Sequence, residues 1–371
     1  MLAAEFLEKQ ALRLARRHAR FANLSWRSAQ LDDAPLGPVC GLIQNAWRRA
    51  YGGRISIAYR PALLRLARAC AGHGGLATFA EDENGVCAAA LGLPLDMDLP
   101  AGTGPVTLTT GFCTSAEHEK SGLVELLLAR HSLACIQAGH AFSLHWRAGA
   151  GAVRATTKPT LSHAVPVPLH AKPLDCALAA RHGQLSPWQG LGLRWLALRH
   201  PAGGRPPAGM ELEPVTADNA ASAASFLNAC QKERSLRRHF TAETLSRRCT
   251  WSEDGIMGAG WALTAHGRTM GVLYGYVNPV SEGHGYFSLD GAVFDPGLTP
   301  GQARRALSAV EGMLRRQYGC FAVMVPGSAC GLPLERMGYI PVRRYHAGAV
   351  DYQAVAGLTV ESLGELLLEL R

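Results

Sequence analysis

Two segments of the sequence combine a strand, a loop of small residues and a helix, an arrangement that can hold a phosphate group. The first runs from Thr110 to Leu123 and the second from Asp290 to Ala303. Gly122 and Gly301 stand just before or within the first turn of the two predicted helices, where backbone N–H groups can approach an anion and the helix dipole favours negative charge. Because the pattern occurs twice, it predicts anion binding more strongly than one turn glycine would.

Four side chains are candidate general bases for a proton transfer. A carboxylate or imidazole beside an amine can accept its proton when its pKa suits the working pH. Each candidate also has an ordinary structural interpretation, since an Asp before Gly291 often caps a turn and a lone His is often buried or solvated. The four are Asp290, His118, His145 and His163.

Cys113 is a candidate nucleophile by residue type alone. No His–Asp pair stands at a recognisable spacing from it, and its alternating strand context favours a buried thiol. None of the ten cysteines forms a Cys-x-x-Cys pair, so neither a zinc site nor a disulfide framework is expected. The sequence predicts no metal cofactor.

The elements that must position these residues form one series that occurs twice. In each half the apolar spacing predicts a strand, two helices, a hairpin, a further strand, a helix and a last strand. Asn84-Gly85 is a strong hairpin signal in the first half, and His266-Gly267 marks the corresponding turn in the second. The sequence therefore predicts two α/β units (α+β in type), each a mixed, mostly antiparallel sheet flanked by helices.

A chain of 371 residues with 48% hydrophobic residues has room for two ordinary globular domains. The loop at 201–209 is rich in Pro and Gly and is the best predicted boundary. We therefore expect five segments along the chain. They are a basic amphipathic helix over 1–23, a first domain over 24–183, a linker over 184–209, a second domain over 210–352, and a C-terminal helix over 353–371.

The net charge of +8 is concentrated near the N-terminus, since residues 1–70 hold 12 Lys and Arg against 4 Asp and Glu. Such a region can hold nucleic acid, an acidic peptide or a coenzyme phosphate. No interleaving of aromatic and basic residues supports nucleic acid, which ranks lowest. No apolar run is long enough to span a membrane, and the N-terminus lacks the apolar core of a secretory signal, so a cytoplasmic protein is expected.

In the two strand–loop–helix segments, Thr110–Leu123 and Asp290–Ala303, the sequence resembles the GNAT acyltransferase superfamily. The family's phosphate loop, Gln/Arg-x-x-Gly-x-Gly/Ala, is partly matched by Leu298-x-x-Gly301-x-Ala303 and by Glu119-x-x-Gly122-x-Val124. A second signature, a short helix ending in a Gly-aromatic pair, is well matched by Leu334-Glu-Arg-Met-Gly338-Tyr339. The resemblance implies tandem GNAT-like domains.

Tandem GNAT halves of this length are similar to the N-myristoyltransferases. That family's Asn-Phe-Leu-Cys-Val falls on Thr110–Thr114, and its Arg-Ser-Lys-Arg-Leu falls on Glu119–Leu123. The resemblance implies an oxyanion hole formed by the N–H groups of Gly111 and Phe112. It also implies that acyl-CoA is contacted by the residues from the end of the strand to the start of the helix, which are Phe112, Cys113, Thr114, Lys120, Ser121, Gly122 and Leu123. The corresponding loop of the second half contains Gly301 and Ala303.

Two departures from that family bear on the chemistry. Glu119 and Ser121 stand where the family has basic residues, which leaves Lys120 as the loop's cation. The family uses its C-terminal carboxylate as the base, whereas residues 353–371 here predict a helix, so the base is expected elsewhere and Asp290 is the first candidate.

The function implied is transfer of a medium or long acyl chain from acyl-CoA to an amine of a peptide or amino-acid acceptor, as in bacterial fatty-acyl peptide N-acyltransferases, which this chain resembles. A first alternative is a small-amine N-acetyltransferase with the coenzyme in the second half, since Gly301-x-Ala303 is the better loop match. A second alternative is a GNAT-like module that binds peptides without catalysis.

Overall fold

A computed structural model of the full chain describes residues 2–17, 21–50, 59–100, 102–148, 161–183, 185–327 and 331–353, with 355, 358, 359 and 363. Its elements divide into two compact units, the described residues up to 166 with 346–363, and residues 167–345. The division falls within two strands. The expected linker over 184–209 instead holds a helix, and the predicted helix over 353–371 lies largely outside the described residues.

The first unit begins with a helix and then alternates strands and helices as predicted. Its elements are α1 (Leu2–Arg17), β1 (Ser25–Gln30), α2 (Leu36–Ala50), α3 (Pro61–Ala69), β2 (Leu76–Asp82), β3 (Gly85–Leu99), β4 (Gly102–Thr114), α4 (Leu123–Gln137), β5 (Phe142–Ala148) and the first part of β6 (Leu161–Pro173).

The second unit follows the same series after two additional helices. Its elements are the rest of β6, α5 (Cys176–His182), α6 (Pro187–Arg199), β7 (Glu211–Pro214), α7 (Ala220–Cys230), β8 (Arg237–Arg238), α8 (Ala242–Thr250), β9 (Ser252–Glu253), β10 (Ile256–Ala265), β11 (Arg268–Ser281), β12 (His284–Phe294), α9 (Pro300–Tyr318), β13 (Cys320–Pro326) and β14 (Ile340–Asp351), whose residues from 346 belong to the first unit.

Each unit contains a mixed sheet with helices on both faces. The strand order is β1-β2-β3-β4-β5 followed by residues 346–351 in the first unit, and β6-β13-β12-β11-β10-β7 in the second. The pairs β4–β5 and β12–β13 are parallel, whereas the pairs β1–β2, β2–β3, β3–β4, β6–β13, β11–β12, β10–β11 and β7–β10 are antiparallel. The predicted mixed, mostly antiparallel sheets are therefore confirmed.

The apolar cores follow from the alternation of side chains along the strands. In the first unit Ala88 and Ala90 of β3 pack with Leu126 and Leu127 of α4. In the second unit α9 packs on one sheet face and α7 with α8 forms a separate cluster with β10 and β11. In the second unit α7 ends at Cys230. The side chain of Gln231 hydrogen-bonds to the backbone of Arg238, which holds the chain in a turn.

Burial in the first unit keeps His131 and His140 neutral near pH 7. His131 lies on α4, where its imidazole bonds to Thr78 Oγ1 at 3.1 Å and lies 3.6 Å from the thiol of Cys135. Burial lowers the pKa of His131 to about 4, and burial followed by the charge of His73 lowers that of His140 to about 4. Neither ring has a carboxylate bonded to it within the described residues that would stabilise its charged form.

We expect the free energy of unfolding of the first unit to fall as the pH is lowered from about 6.5 to about 4. Well above pH 6.5 the two imidazoles are neutral in both the folded and the unfolded chain. Below pH 6.5 His131 and His140 bind protons in the unfolded chain but stay neutral in the folded one. At pH 5 the loss is about 2 kcal/mol for each histidine. Urea unfolding at pH 7.5, 6 and 5 measures it. His131→Gln should flatten the dependence, and the exposed control His284→Gln should not.

Candidate functional site

A β-bulge in β4 sets Gly111 and Phe112 apart from the rest of the strand. Ala89 pairs with Cys113 and Leu91 with Thr110, so the two bulge residues face Ala90 alone. Gly111 has φ of +61°, a conformation that side chains other than glycine rarely adopt. A bulge removes N–H groups from the regular ladder, so this part of β4 can direct amides toward a ligand.

Beside the bulge, β4 separates from β5 while it stays paired with β3. The parallel pairing of β4 with β5 covers Thr107 to Thr109 and ends at Thr109 opposite His145, whereas β4 continues to Thr114. Residues 110–114 therefore extend past the end of the pairing with β5. The bulge and the divergence together open the sheet at the residues for which the sequence predicted an oxyanion hole.

The loop that follows β4 ends in two residues with positive φ. Lys120 has φ of +56° and Gly122 has φ of +86°, and α4 begins directly afterwards at Leu123. Gly122 is the N-cap and brings no capping side chain, although Ser121 Oγ accepts a hydrogen bond from the N–H of Leu123 at 3.2 Å. The start of α4 is thus covered by one small hydroxyl, and a non-glycine residue in the left-handed region often marks a functional loop.

Arg49, at the end of α2, lies against this loop and was not singled out from the sequence. Its Nε donates to Glu119 Oε1 at 2.9 Å, and its Nη2 donates to the carbonyl of Thr114 at 3.2 Å. Glu119 stands where the resemblance predicts a basic side chain. Its negative charge is neutralised by Arg49, which lies 70 residues away in sequence. The only feature of the sequence that could have pointed to Arg49 is the pair Arg48-Arg49 in the last turn of a helix.

Cys113 and Thr114, also predicted to contact coenzyme, are both buried. Burial raises the pKa of the Cys113 thiol to about 12, a direction opposite to that of a reactive thiolate. The structure therefore agrees with the interpretation of Cys113 as a buried thiol. The backbone of this segment can still bind a ligand, because that contact does not require the Cys113 side chain.

The second unit repeats the bulge at Asp290. Tyr274 pairs with Gly291 and Gly275 with Leu289, which leaves Asp290 as the additional residue of β12. The parallel pairing of β12 with β13 ends at Ser288, so these strands also diverge beside the bulge. The same two features at the same place in both units support an internal duplication.

The Asp290 side chain is fully buried and forms an ion pair with the guanidinium of Arg248 on α8. Arg248 is itself buried, and its guanidinium carbon lies 5.3 Å from the centre of the Tyr274 ring. In this structure the carboxylate is inaccessible to solvent, so an amine would reach it only if the pair opened. Its role as general base stays a prediction.

The loop of the second unit is closed by its own side chains. Thr299 caps α9 by accepting from the N–H of Gln302, and Gln302 Oε1 accepts in return from the N–H of Thr299. Pro300 occupies the first helical position and has no N–H to offer. Gly301 is exposed and Ala303 is buried. The capping box therefore uses the N–H of Gln302, which is one of the amides that a phosphate would need at this helix start.

The remaining base candidates lie in the first unit. His118 Nε2 is 3.3 Å from Asp82 Oδ2. His145 is buried on β5 at the last pair with β4, and a Cβ added at Gly348 would lie 2.6 Å from its Nε2. The side chain of His163 lies outside the described residues. Of the two described imidazoles, His145 is the one whose strand register brings it beside the bulge.

Three residues near the loop are close enough to ligate a cation together. Asp82, Cys87 and His118 offer ligand atoms within 4.8 Å of one another. Burial raises the pKa of the Cys87 thiol to about 12, and the thiol donates to the carbonyl of Ala80 at 3.4 Å. A protonated thiol is a poor metal ligand, so these contacts fit a hydrogen-bonded clasp between β2, β3 and the loop.

Comparison with solved structures places this geometry in a known fold. A structure of Saccharomyces cerevisiae N-myristoyltransferase with bound myristoyl-CoA superposes with a TM-score of 0.68 at 13% identity, covering 90% of this chain and 84% of that chain. A second structure of the yeast enzyme, with myristoyl-CoA and inhibitors, gives 0.68 at 12% identity, covering 90% and 81%. No model of a known protein family matches the sequence, and neither does any curated protein sequence.

The similarity therefore shows the fold, which is the mixed α/β fold of the yeast N-myristoyltransferase structures. Coverage of nine-tenths of the chain means that both units contribute to it. No helix among the described residues is long and apolar enough to cross a membrane.

Proposed function

We propose that this protein is an acyl-CoA-dependent N-acyltransferase whose first unit binds the coenzyme. The observation that carries the proposal is the combination, in one unit, of the β4 bulge at Gly111 and Phe112 with the open start of α4 after Gly122. Myristoyl-CoA is bound in the solved neighbours, which supports acyl-CoA as the donor here. The capping box at Thr299 supports the first unit over the second as the place for the phosphates.

In the proposed reaction the amine nitrogen of the acceptor attacks the thioester carbonyl carbon. The carbonyl oxygen becomes an oxyanion, which the N–H groups of Gly111 and Phe112 stabilise, and preorganised amides of this kind contribute a few kcal/mol. The C–S bond then breaks, coenzyme A leaves as a thiolate, and the proton lost by the amine neutralises it. No covalent enzyme intermediate is required.

The phosphates of the coenzyme would lie at the loop from Lys120 to Leu123. The N–H groups at the start of α4 supply hydrogen bonds and a favourable dipole, and the exposed Lys120 supplies positive charge. Arg49 assists by neutralising Glu119, which would otherwise repel the phosphates. His145 is the candidate for the base, because its strand pairs with β4 two residues before Gly111.

A medium or long acyl chain and a peptide or amino-acid acceptor remain the preferred substrates. The ligand bound to the yeast enzyme, myristoyl-CoA, is a long-chain thioester, and the shared fold covers both units. A cytoplasmic location is part of the same proposal. An acetyl donor with a small-amine acceptor is the rival, and it differs in the acyl length that the protein binds best.

We expect a medium- or long-chain acyl-CoA at about a hundred times its Kd to stabilise the protein by about 2.7 kcal/mol, or roughly 5 to 10 °C in Tm. The shift should grow from CoA and acetyl-CoA to an optimum at medium or long chains. Gly122→Leu and Lys120→Glu should reduce it, whereas the matched control Gly301→Leu, whose added Cβ meets only Thr299 Oγ1 at 3.9 Å, should not.

The outcomes separate the three functions. An acetyl-CoA optimum that depends on Gly301 would favour the small-amine acetyltransferase with its coenzyme in the second unit. Absence of a shift with every thioester would contradict the proposal and favour a peptide-binding module without catalysis. If Gly122→Leu fails to fold, the exposed Lys120→Glu variant still tests the loop.

A further inference from the structure

Helix α6 carries apolar side chains both toward its unit and away from it. Leu193 is buried, whereas four other apolar residues lie three or four positions apart and share one face of the helix. This exposed Trp–Leu face consists of Trp188, Leu191, Trp195 and Leu198, which are 82%, 56%, 58% and 81% exposed. A helix that is apolar on all sides is normally buried, and a contiguous exposed apolar surface marks an interaction site.

Arg199 connects the Trp–Leu face to a positively charged cavity. It follows Trp195 by four positions, so it lies on the same face, and its guanidinium carbon is 4.7 Å from the centre of the Trp195 ring. It also lines a cavity of about 380 Å³ in the second unit, together with the side chains of Arg205, Arg304 and Arg305. We call these four residues the arginine cluster.

The arginine cluster carries positive charge that no ion pair among the described residues balances. Within the described residues none of the four arginines forms an ion pair. The acidic side chain of the cavity, Glu311, is buried and engaged elsewhere, accepting from Lys172 Nζ at 2.6 Å and from the hydroxyl of Tyr339 at 2.7 Å. Burial, and then the charges of Lys172, Arg199 and Arg304, lower the pKa of His200 in the same cavity.

We propose that the Trp–Leu face and the arginine cluster together dock this protein onto the surface of an anionic lipid bilayer. Tryptophan and leucine side chains enter the boundary between headgroups and acyl chains, where amphipathic indole rings are favoured. The guanidinium groups beside them bind lipid phosphates, for which their planar donor geometry is suited. This surface lies outside the loop proposed for acyl-CoA, and the proposal does not depend on that function.

Charge favours a membrane over a second copy of this chain. A symmetric dimer through this face would bring two arginine clusters into one interface, and like charges opposed across an interface are destabilising. An anionic bilayer instead offers negative charge beside an apolar layer. It therefore complements both halves of the surface at once.

Vesicle co-sedimentation of the full chain tests the docking surface. The protein should sediment with vesicles of phosphatidylcholine mixed with phosphatidylglycerol and at least about tenfold more weakly with phosphatidylcholine alone. Arg304→Gln with Arg305→Gln should raise the lipid concentration for half-binding by about fivefold per arginine. The matched control Arg247→Gln with Arg268→Gln removes the same charge from arginines already paired to Glu243 and Asp295 and should change little.

A second pair of variants tests the apolar part. Trp188→Ala with Trp195→Ala should reduce binding at least about tenfold and remove any blue shift of tryptophan fluorescence on binding. The side chains substituted in the two test variants, Trp188, Trp195, Arg304 and Arg305, are all exposed. Unchanged Tm values would show that each variant folds. Any of four results would overturn the proposal. They are unchanged vesicle binding in the tryptophan variant, a loss of binding in the charge control as large as that in Arg304→Gln with Arg305→Gln, no vesicle binding by the parent protein, and a concentration-dependent dimer that the tryptophan variant abolishes.

Discussion

We expect Gly111→Val to lower kcat for acyl transfer by about 10²- to 10³-fold, the effect of losing one oxyanion-hole donor. Position 111 has φ of +61°, and a Cβ there would lie 2.7 Å from Ile43 Cδ1. A β-branched residue cannot adopt this conformation without strain, so the bulge must shift and move the amides of Gly111 and Phe112. The loss should appear in kcat, because the phosphate loop begins nine positions later and is not altered.

Release of coenzyme A from the acyl-CoA that stabilises the protein best, with a panel of amines as acceptors, measures this effect. The thermal shift given by the same acyl-CoA should persist in Gly111→Val. Gly301→Ala is the matched control, since that glycine is exposed and its added Cβ meets no atom closer than 3.9 Å. A full kcat in a folded Gly111→Val variant would contradict the assignment of the oxyanion hole.

The sequence predicted the elements around this site more fully than the site itself. The strand ending near Cys113, the helix from Leu123 and the hairpin at Asn84-Gly85 all follow from local periodicity and turn chemistry. The bulge does not, because it depends on which residues of β3 face β4. A glycine inside an apolar strand can mark a bulge or a close packing contact, and only the register distinguishes them.

Contacts between distant segments account for most of what the sequence did not reveal. Arg49 neutralises Glu119 across 70 positions, so an apparent departure from the family's basic loop is partly compensated. Arg247 and Arg248 are adjacent on α8, yet the first forms an exposed pair with Glu243 and the second a buried pair with Asp290. Helical periodicity places the two on different sides, but nothing in the sequence identifies the buried partner.

The capping box of α9 illustrates a different limit. The pattern Thr299-Pro300-Gly301-Gln302 is readable in the sequence as a helix start. The spacing of Gly301 and Ala303 also fits the phosphate loop of the GNAT family, and it favours that interpretation when the sequence is taken alone. The two interpretations compete for the same amides, and the hydrogen bonds of Thr299 and Gln302 favour the structural one.

We expect Asp290→Asn to lower the free energy of unfolding of the second unit by about 3 kcal/mol or more, because it removes the negative partner of the buried Arg248. A buried charge deprived of its counter-ion costs more than an exposed pair, whose loss is worth about 0 to 1 kcal/mol. Arg247→Met, which breaks the exposed neighbouring pair with Glu243, is therefore the matched control. Urea unfolding measures both.

The same variant tests the predicted general base. If Asp290 only stabilises the second unit, Asp290→Asn should retain kcat when assayed well below its lowered Tm, and its pH–rate profile should match that of the parent. If Asp290 accepts the proton of the amine, kcat should fall by about 10²- to 10⁴-fold at a temperature where the variant is folded, and the acid limb of the pH profile should disappear. The buried pair with Arg248 leads us to expect the first result, with His145 then the base to replace next.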